Sequence, residues 1–427
     1  MDKIEKIRSL LLYILFLSLP FSIAGSNFAI IGLYFVTGYL FLAKKNNLEN
    51  LHLFFWGMIV LIVAAVLSSL LSDVPLESFR YFRKFWRFGL PIVLLLAFSK
   101  HNFEKYLRIT LVISILISIY SIIQFFTGLD ILRSDYLQGK YHLYRGVVWQ
   151  AVGAFSHHLT LGGVFLLIFS LFGGLVFSDE IKRPVKYLYL IGALLSLTTA
   201  FLTLGRSIWL GLIIVIVVFL SVLIPPRFKK VLAIIILLIV AISWVAIKRI
   251  DTTFIGKTSI GYRALTAISL KANKDRLLMW EAGVAVIKDH PILGLGPNMA
   301  QQIEPYYSKI SKREKHRFQQ NPGVGFHNIY LQTWVDFGIL GLIGFLTMYL
   351  SIIKGIEPRI NHLNVRRSNE NAILLGIIAG LCGNMVAGFF ENNFRDGEVQ
   401  IMIFVTMGLA LNILQKKNPD QVEKPPI

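Results

Sequence analysis

Five groups of polar residues stand out against apolar surroundings. Arg206 is the only charge between Lys186 and Arg227, at the junction Gly205-Arg206 between two apolar segments. A guanidinium there is costly unless it faces a polar cavity or a partner, and its plainer use is as an interfacial anchor. Arg80, Arg83, Lys84 and Arg87 follow the i, i+3, i+4, i+7 pattern of one α-helical face. Phe79, Phe82, Phe85, Trp86 and Phe88 cover most of the remainder. Such a basic stripe can snorkel towards lipid headgroups. It can also clamp a diphosphate-bearing lipid, because guanidinium binds phosphate oxygens in pairs. His157 and His158 open an apolar segment, where paired imidazoles can bind ligand or simply supply interfacial polarity. His327 opens another, after Asn321-Pro322-Gly323-Val324-Gly325-Phe326. Imidazole titrates near neutrality, so His327 can serve as a general base to a hydroxyl within about 3 Å, or it can cap the polar mouth of its helix. Asp336, nine residues on, falls about half a turn away and is not its expected partner. Glu391 and Asp396, on a short link, are better placed to orient the imidazole.

Other chemistries lack their residues. Gly294-Leu295-Gly296-Pro297-Asn298 is a turn; with no strand before it and no third glycine at the required spacing, it is not a nucleotide fingerprint. There is no Walker motif and no Cys/His cluster, and Cys382 is the single cysteine. No cofactor and no metal is expected.

The elements that position these residues must be membrane helices. Of 427 residues, 55% are hydrophobic and only 16% charged, against about 25% charged in a soluble protein. Apolar runs repeatedly reach the length of about 20 residues that spans a bilayer. The expected fold is all-α and polytopic, with about twelve transmembrane helices near 9–24, 27–43, 51–71, 87–99, 108–127, 157–178, 187–204, 206–224, 231–247, 327–353, 371–390 and 398–415. The first two form a retained hairpin, not a signal peptide. The fourth is the weakest, with charges from Arg80 to Arg87 at its start.

Lysine and arginine bias sets the orientation. With the N-terminus inside, inner segments carry 21 Lys and Arg, whereas the short outer links carry nine. The net charge of +19 is therefore read as cytoplasmic loop charge, and no nucleic acid partner is expected. The organisation expected is transmembrane helices over 1–247, a large helical periplasmic loop over 248–326, three more spans over 327–415 and a cytoplasmic tail over 416–427. Helical pieces are expected near 276–289 and 299–318 of the loop.

The run Gly205-Arg206-Ser207-Ile208-Trp209-Leu210-Gly211, then Arg276-Leu277-Leu278-Met279-Trp280-Glu281, Pro291-Ile292-Leu293-Gly294-Leu295-Gly296 and His327-Asn328-Ile329-Tyr330-Leu331-Gln332 with Gly338, resembles the O-antigen ligase/polymerase superfamily. Arg206 to Leu210 fits the R-x3-L motif of its ligases, and His327 to Gly338 fits H-x10-G. The resemblance implies a metal-independent, inverting transfer of a glycan from undecaprenyl diphosphate to lipid A-core during lipopolysaccharide assembly, at the periplasmic face of the inner membrane. It implies that Arg206 and Arg276 hold the diphosphate and that His327 is the base. Arg80, Arg83, Lys84, His157, His158 and Glu391 are expected as further substrate contacts. Within the superfamily the alternatives are a polymerase and a protein O-oligosaccharyltransferase. Outside it the alternative is a secondary transporter, disfavoured by the unequal split of spans around the loop and the absence of a clear repeat.

Overall fold

A computed structural model describes residues 2–44, 53–98, 103–132, 149–225, 227–228, 270–299, 303–307 and 325–415. These residues are helical, with no strand among them. In chain order the helices are α1 Asp2–Ser18, α2 Ile23–Lys44, α3 Leu53–Leu70, α4 Pro75–Phe79, α5 Leu90–Ala97, α6 Glu104–Thr127, α7 His158–Leu175, α8 Arg183–Leu202, α9 Arg206–Leu223, α10 Leu270–Asp289, α11 Ile329–Ile356, α12 His362–Arg367, α13 Asn369–Ala387 and α14 Gly397–Gln415.

Nine of the described helices are long and apolar enough to cross a membrane: α2, α3, α6, α7, α8, α9, α11, α13 and α14. The chain is a multi-pass membrane protein. Of the three other expected spans, the first is the 17-residue α1 and the fourth ends in the eight-residue α5. The ninth, 231–247, lies outside the described residues, as do the tail 416–427 and most of the expected loop helix 299–318. The expected piece 276–289 is the latter part of α10.

The basic stripe departs from expectation. Arg80–Gly89 is a ten-residue 3₁₀ helix, much longer than the usual three or four residues. Three residues per turn eclipse i and i+3, which divides the side chains into three columns. Phe79, Phe82, Phe85 and Phe88 form one, with successive ring centroids 5.3, 4.7 and 4.9 Å apart. Arg80 and Arg83 fall in the second column, Lys84 and Arg87 in the third with Tyr81. The four cations thus do not share one face. The phenylalanine spacing of three, which rewards ring stacking, prevails over the α-helical pattern.

The bundle is drawn together by glycine. At the crossing of α3 and α11, a Cβ on Gly57 would lie 2.9 Å from the Gly344 carbonyl oxygen. On α7 and α13, one on Gly174 would lie 2.7 Å from the Gly376 nitrogen. On α9 and α13, one on Gly211 would lie 2.8 Å from the Gly383 oxygen. Small residues let membrane helices touch backbone to backbone, which supplies the dispersion contact that drives their association in lipid.

Helix α11 is broken at Gly338, whose φ of 68° and ψ of −171° belong to a region open essentially to glycine alone. The turn at 291–296 docks into the break. Leu295 N donates to Val335 O at 2.8 Å, Gly296 N to Asp336 O at 3.1 Å and Ile339 N to Pro291 O at 3.0 Å. Trp334 Nε1 also donates to Pro291 O at 2.9 Å, and Ser68 Oγ to Asp336 O at 2.6 Å. The interrupted backbone is thereby satisfied within protein, as irregular chain at membrane depth requires. The same bonds anchor the segment that carries α10 to the bundle.

Candidate functional site

The starts of α7, α9 and α11 and the end of α13 meet at one end of the bundle. His327 precedes α11 and has a left-handed backbone, φ 47°, an uncommon state for a non-glycine residue. Asn328 caps α11, its Oδ1 accepting from Leu331 N at 2.9 Å, so His327 is free of that duty. Its Nδ1 instead lies 3.0 Å from Glu391 Oε1. Glu391, 7% exposed, sits on the link between α13 and α14. With Nδ1–H donating to the carboxylate, Nε2 carries the lone pair that can accept a proton.

Arg276 joins this pair from α10, with Nη2 3.7 Å from Glu391 Oε2. Helix α10 is seated by Trp280, whose Nε1 donates to Phe326 O at 3.0 Å and whose ring lies 5.9 Å from that of Phe390. Burial pushes the Glu391 carboxyl up. The hydrogen bond and charge of His327, the Asn392 amide and the Arg276 charge together outweigh burial, and its pKa is lowered.

His157 stands close enough to Glu391 and His327 to feel the charge of each, with His158 next to it. The two adjacent imidazoles have ring centroids 4.6 Å apart. His157 caps α7, accepting from Leu159 N at 3.2 Å. Burial lowers its pKa, while the charges of Glu391 and His327 act on it in opposite senses. His158 Nδ1 lies 2.9 Å from Thr203 O. That bond holds the turn Thr203-Leu204-Gly205, in which Leu204 is also left-handed at φ 54°, and Arg206 opens α9 directly after it. The half-buried Arg206 therefore starts its helix beside the histidine pair.

The basic 3₁₀ segment divides. Arg80 pairs with Glu77 and Arg83 Nε donates to Arg80 O at 3.2 Å, both on the exposed surface. Lys84 lies 5.2 Å over the Tyr81 ring and lines a neighbouring cleft with Asp336, Arg395, Gln332, Asn392 and Gln400. The cleft is tied to the His327–Glu391 pair through Asn392, whose backbone amide donates to Glu391 Oε1 at 3.1 Å, and through Gln332, whose Oε1 accepts from Phe326 N at 3.1 Å. Asp336 is directed to Arg395 and to Gln332 Nε2 at 3.0 Å, not to His327.

Sequence reasoning missed the Asp336–Arg395 pair and the docking of 291–296 at Gly338. A glycine inside an otherwise apolar span was the available signal for the latter. It also left Asp396 without its neighbour: Thr160 Oγ1 donates to Asp396 Oδ2 at 2.9 Å. Burial, against that hydrogen bond and reinforced by the Glu391 and Glu398 charges, raises Asp396 to about 6. The folded protein therefore holds a proton that the unfolded chain releases near 3.8. Stability is expected to fall as pH rises between these values and then level off. The thermal midpoint of the wild-type protein in detergent should drop relative to Asp396→Asn between about pH 4 and pH 7. A constant difference would contradict the assignment.

Comparison with known proteins adds the last observation. Residues 191–346 match the family model described as O-Antigen ligase. The match contains Arg206, Arg276, His327 and Gly338, while His157, His158 and Glu391 lie outside it. The chain is also 26% identical over 230 residues to an uncharacterized protein of Haemophilus influenzae, an alignment covering 52% of this chain and 56% of that protein.

Proposed function

We propose, from the premise that the chain carries an O-antigen ligase superfamily domain at residues 191–346, that it is the ligase: an inverting transferase that moves a glycan from undecaprenyl diphosphate to lipid A-core. The observation that carries this reading is the triad of His327, Glu391 and Arg276, drawn from three separate segments. Glu391 orients the His327 ring, and His327 Nε2 takes the proton from an acceptor hydroxyl. The hydroxyl oxygen attacks the sugar carbon bonded to diphosphate, and that carbon–oxygen bond breaks on the opposite side. Arg276 and Arg206 hold the departing diphosphate and stabilise its charge. Lys84, His157 and His158 complete the polar lining, and Arg80 and Arg83 meet lipid headgroups at its outer margin. No nucleotide is required, because the donor arrives activated.

Purified protein supplied with lipid-linked glycan should form product with lipid A-core. Product that needs no added acceptor and lengthens the lipid-linked glycan would instead identify a polymerase.

Arg206→Ala is expected to lower transfer by about 10²–10³-fold, the effect of losing one preorganised donor to developing charge. Arg206→Lys should lose most of it too, because lysine keeps the charge without the planar fork. Arg276→Ala should behave similarly. Transfer should survive EDTA. Wild-type turnover in Arg206→Ala at normal expression would eliminate this diphosphate site.

The site is read as periplasmic. In a Cys382→Ser background, cysteine at exposed Lys288 of α10 should react with an impermeant thiol reagent in intact cells, and cysteine at exposed Arg366 of α12 should not. The opposite pattern would invert the topology.

A further inference from the structure

The other end of the bundle contains a second polar space. Helix α7 has 18 residues, so about 27 Å separates its two ends, close to the hydrocarbon thickness of a bilayer. His158 is at one end and Leu175 at the other. Leu175 lines a cavity of about 300 Å³, within the range of small-molecule sites. The cavity is thus about one hydrocarbon thickness away from the histidine pair, at the opposite end of α7.

Its polar lining is Glu104, Arg108, Glu180, Lys182, Tyr189 and Asn369. Asn369 ties the two acids together: its Nδ2 donates to Glu104 Oε1 at 2.8 Å and its backbone N to Glu180 Oε2 at 2.9 Å. Ser178 Oγ, donating to Asn369 Oδ1 at 2.6 Å, fixes that amide in turn. Arg108 lies beside the Tyr189 phenol. Lys182 is exposed and has no ion-pair partner among the described residues. Two carboxylates and two cations thus line one cavity, with Leu175, Ile181 and Val185 as its apolar lining.

We propose that this cavity binds the headgroup of phosphatidylethanolamine. The phosphate engages Arg108 and Lys182, and the primary ammonium donates to Glu104 and Glu180. A membrane interface supplies this ligand in abundance, and it carries both required charges on one short chain. Phosphatidylglycerol offers no cation to the two carboxylates. Phosphatidylcholine has a cation without an N–H donor and leaves their hydrogen-bonding capacity unused.

Native mass spectrometry of the full-length protein, titrated separately with the three phospholipids, tests this. Phosphatidylethanolamine should be retained in preference to the other two. Glu180→Gln should abolish its advantage over phosphatidylglycerol, and Lys182→Gln should weaken its binding by about tenfold, the effect of one lost charge-assisted hydrogen bond. Both positions are exposed, so neither change should prevent folding. Equal retention of the three lipids, or unchanged phosphatidylethanolamine affinity in both variants, would overturn the proposal. Soluble O-phosphoethanolamine binding as tightly as the lipid would overturn the lipid assignment and leave a site for a free phosphoamine.

Discussion

His327→Gln is expected to reduce transfer by about 10²–10⁴-fold, the usual contribution of a positioned base. Glutamine retains a polar side chain but cannot take the acceptor proton at neutral pH. Binding of the lipid-linked donor should persist, because Arg206 and Arg276, the proposed diphosphate contacts, are unchanged in this variant. The loss should therefore appear in kcat and hardly in KM. His327→Asn is the companion variant, since asparagine tolerates the left-handed backbone found at this position. Glu391→Gln should also lower kcat, because the carboxamide no longer stabilises the imidazolium formed as the proton is taken. The alternative for His327, capping of α11, is occupied by Asn328. Near-wild-type turnover in both His327 variants would refute the base and leave positioning by the arginines as the main catalytic device.

Gly338→Ala is expected to damage stability and transfer together. A Cβ here would intrude on the Ile292 carbonyl, and the dihedral angles themselves cost a residue other than glycine about 1–3 kcal/mol. The break in α11 can then persist only with the 291–296 turn displaced, which forfeits the three backbone hydrogen bonds that seat it. Arg276 sits on the helix leading into that turn, so it loses its distance to Glu391. Transfer should fall at least about tenfold, by the rate dependence on positioning, and the thermal midpoint should drop. Gly38→Ala is the control, because its Cβ would meet nothing within 4 Å. A Gly338→Ala protein with unaltered midpoint and rate would show that the docked turn does not position the arginine.

Helix type and apolar length were legible because lipid imposes them residue by residue, and α2, α3 and α6 follow the expected spans closely. The 3₁₀ segment was not, because Arg80, Arg83, Lys84 and Arg87 fit an α-helical face while the phenylalanines fit a period of three. Only packing decides between these patterns. Glu391 could be placed near His327 because both lie on links at the same end of neighbouring spans. The meeting of Gly338 with Ile292 was not legible, because nothing local in either segment specifies the other. Asp336 had the same difficulty: its partner Arg395 is brought to it by the return of α13 and α14, not by any spacing along α11.

The glycine crossings of α13 have a mechanical consequence. Gly376 and Gly383 are seven residues apart, about 10 Å along the helix axis, and each meets the backbone of a different neighbour. Contacts of this kind contain no rotamers to exchange and no side chain to flex, so they behave as fixed bearings rather than cushions. With two bearings, α13 can neither slide along α7 nor pivot away from α9 without breaking one of them. Sliding or tilting of α13 against either neighbour would have to part backbone from backbone.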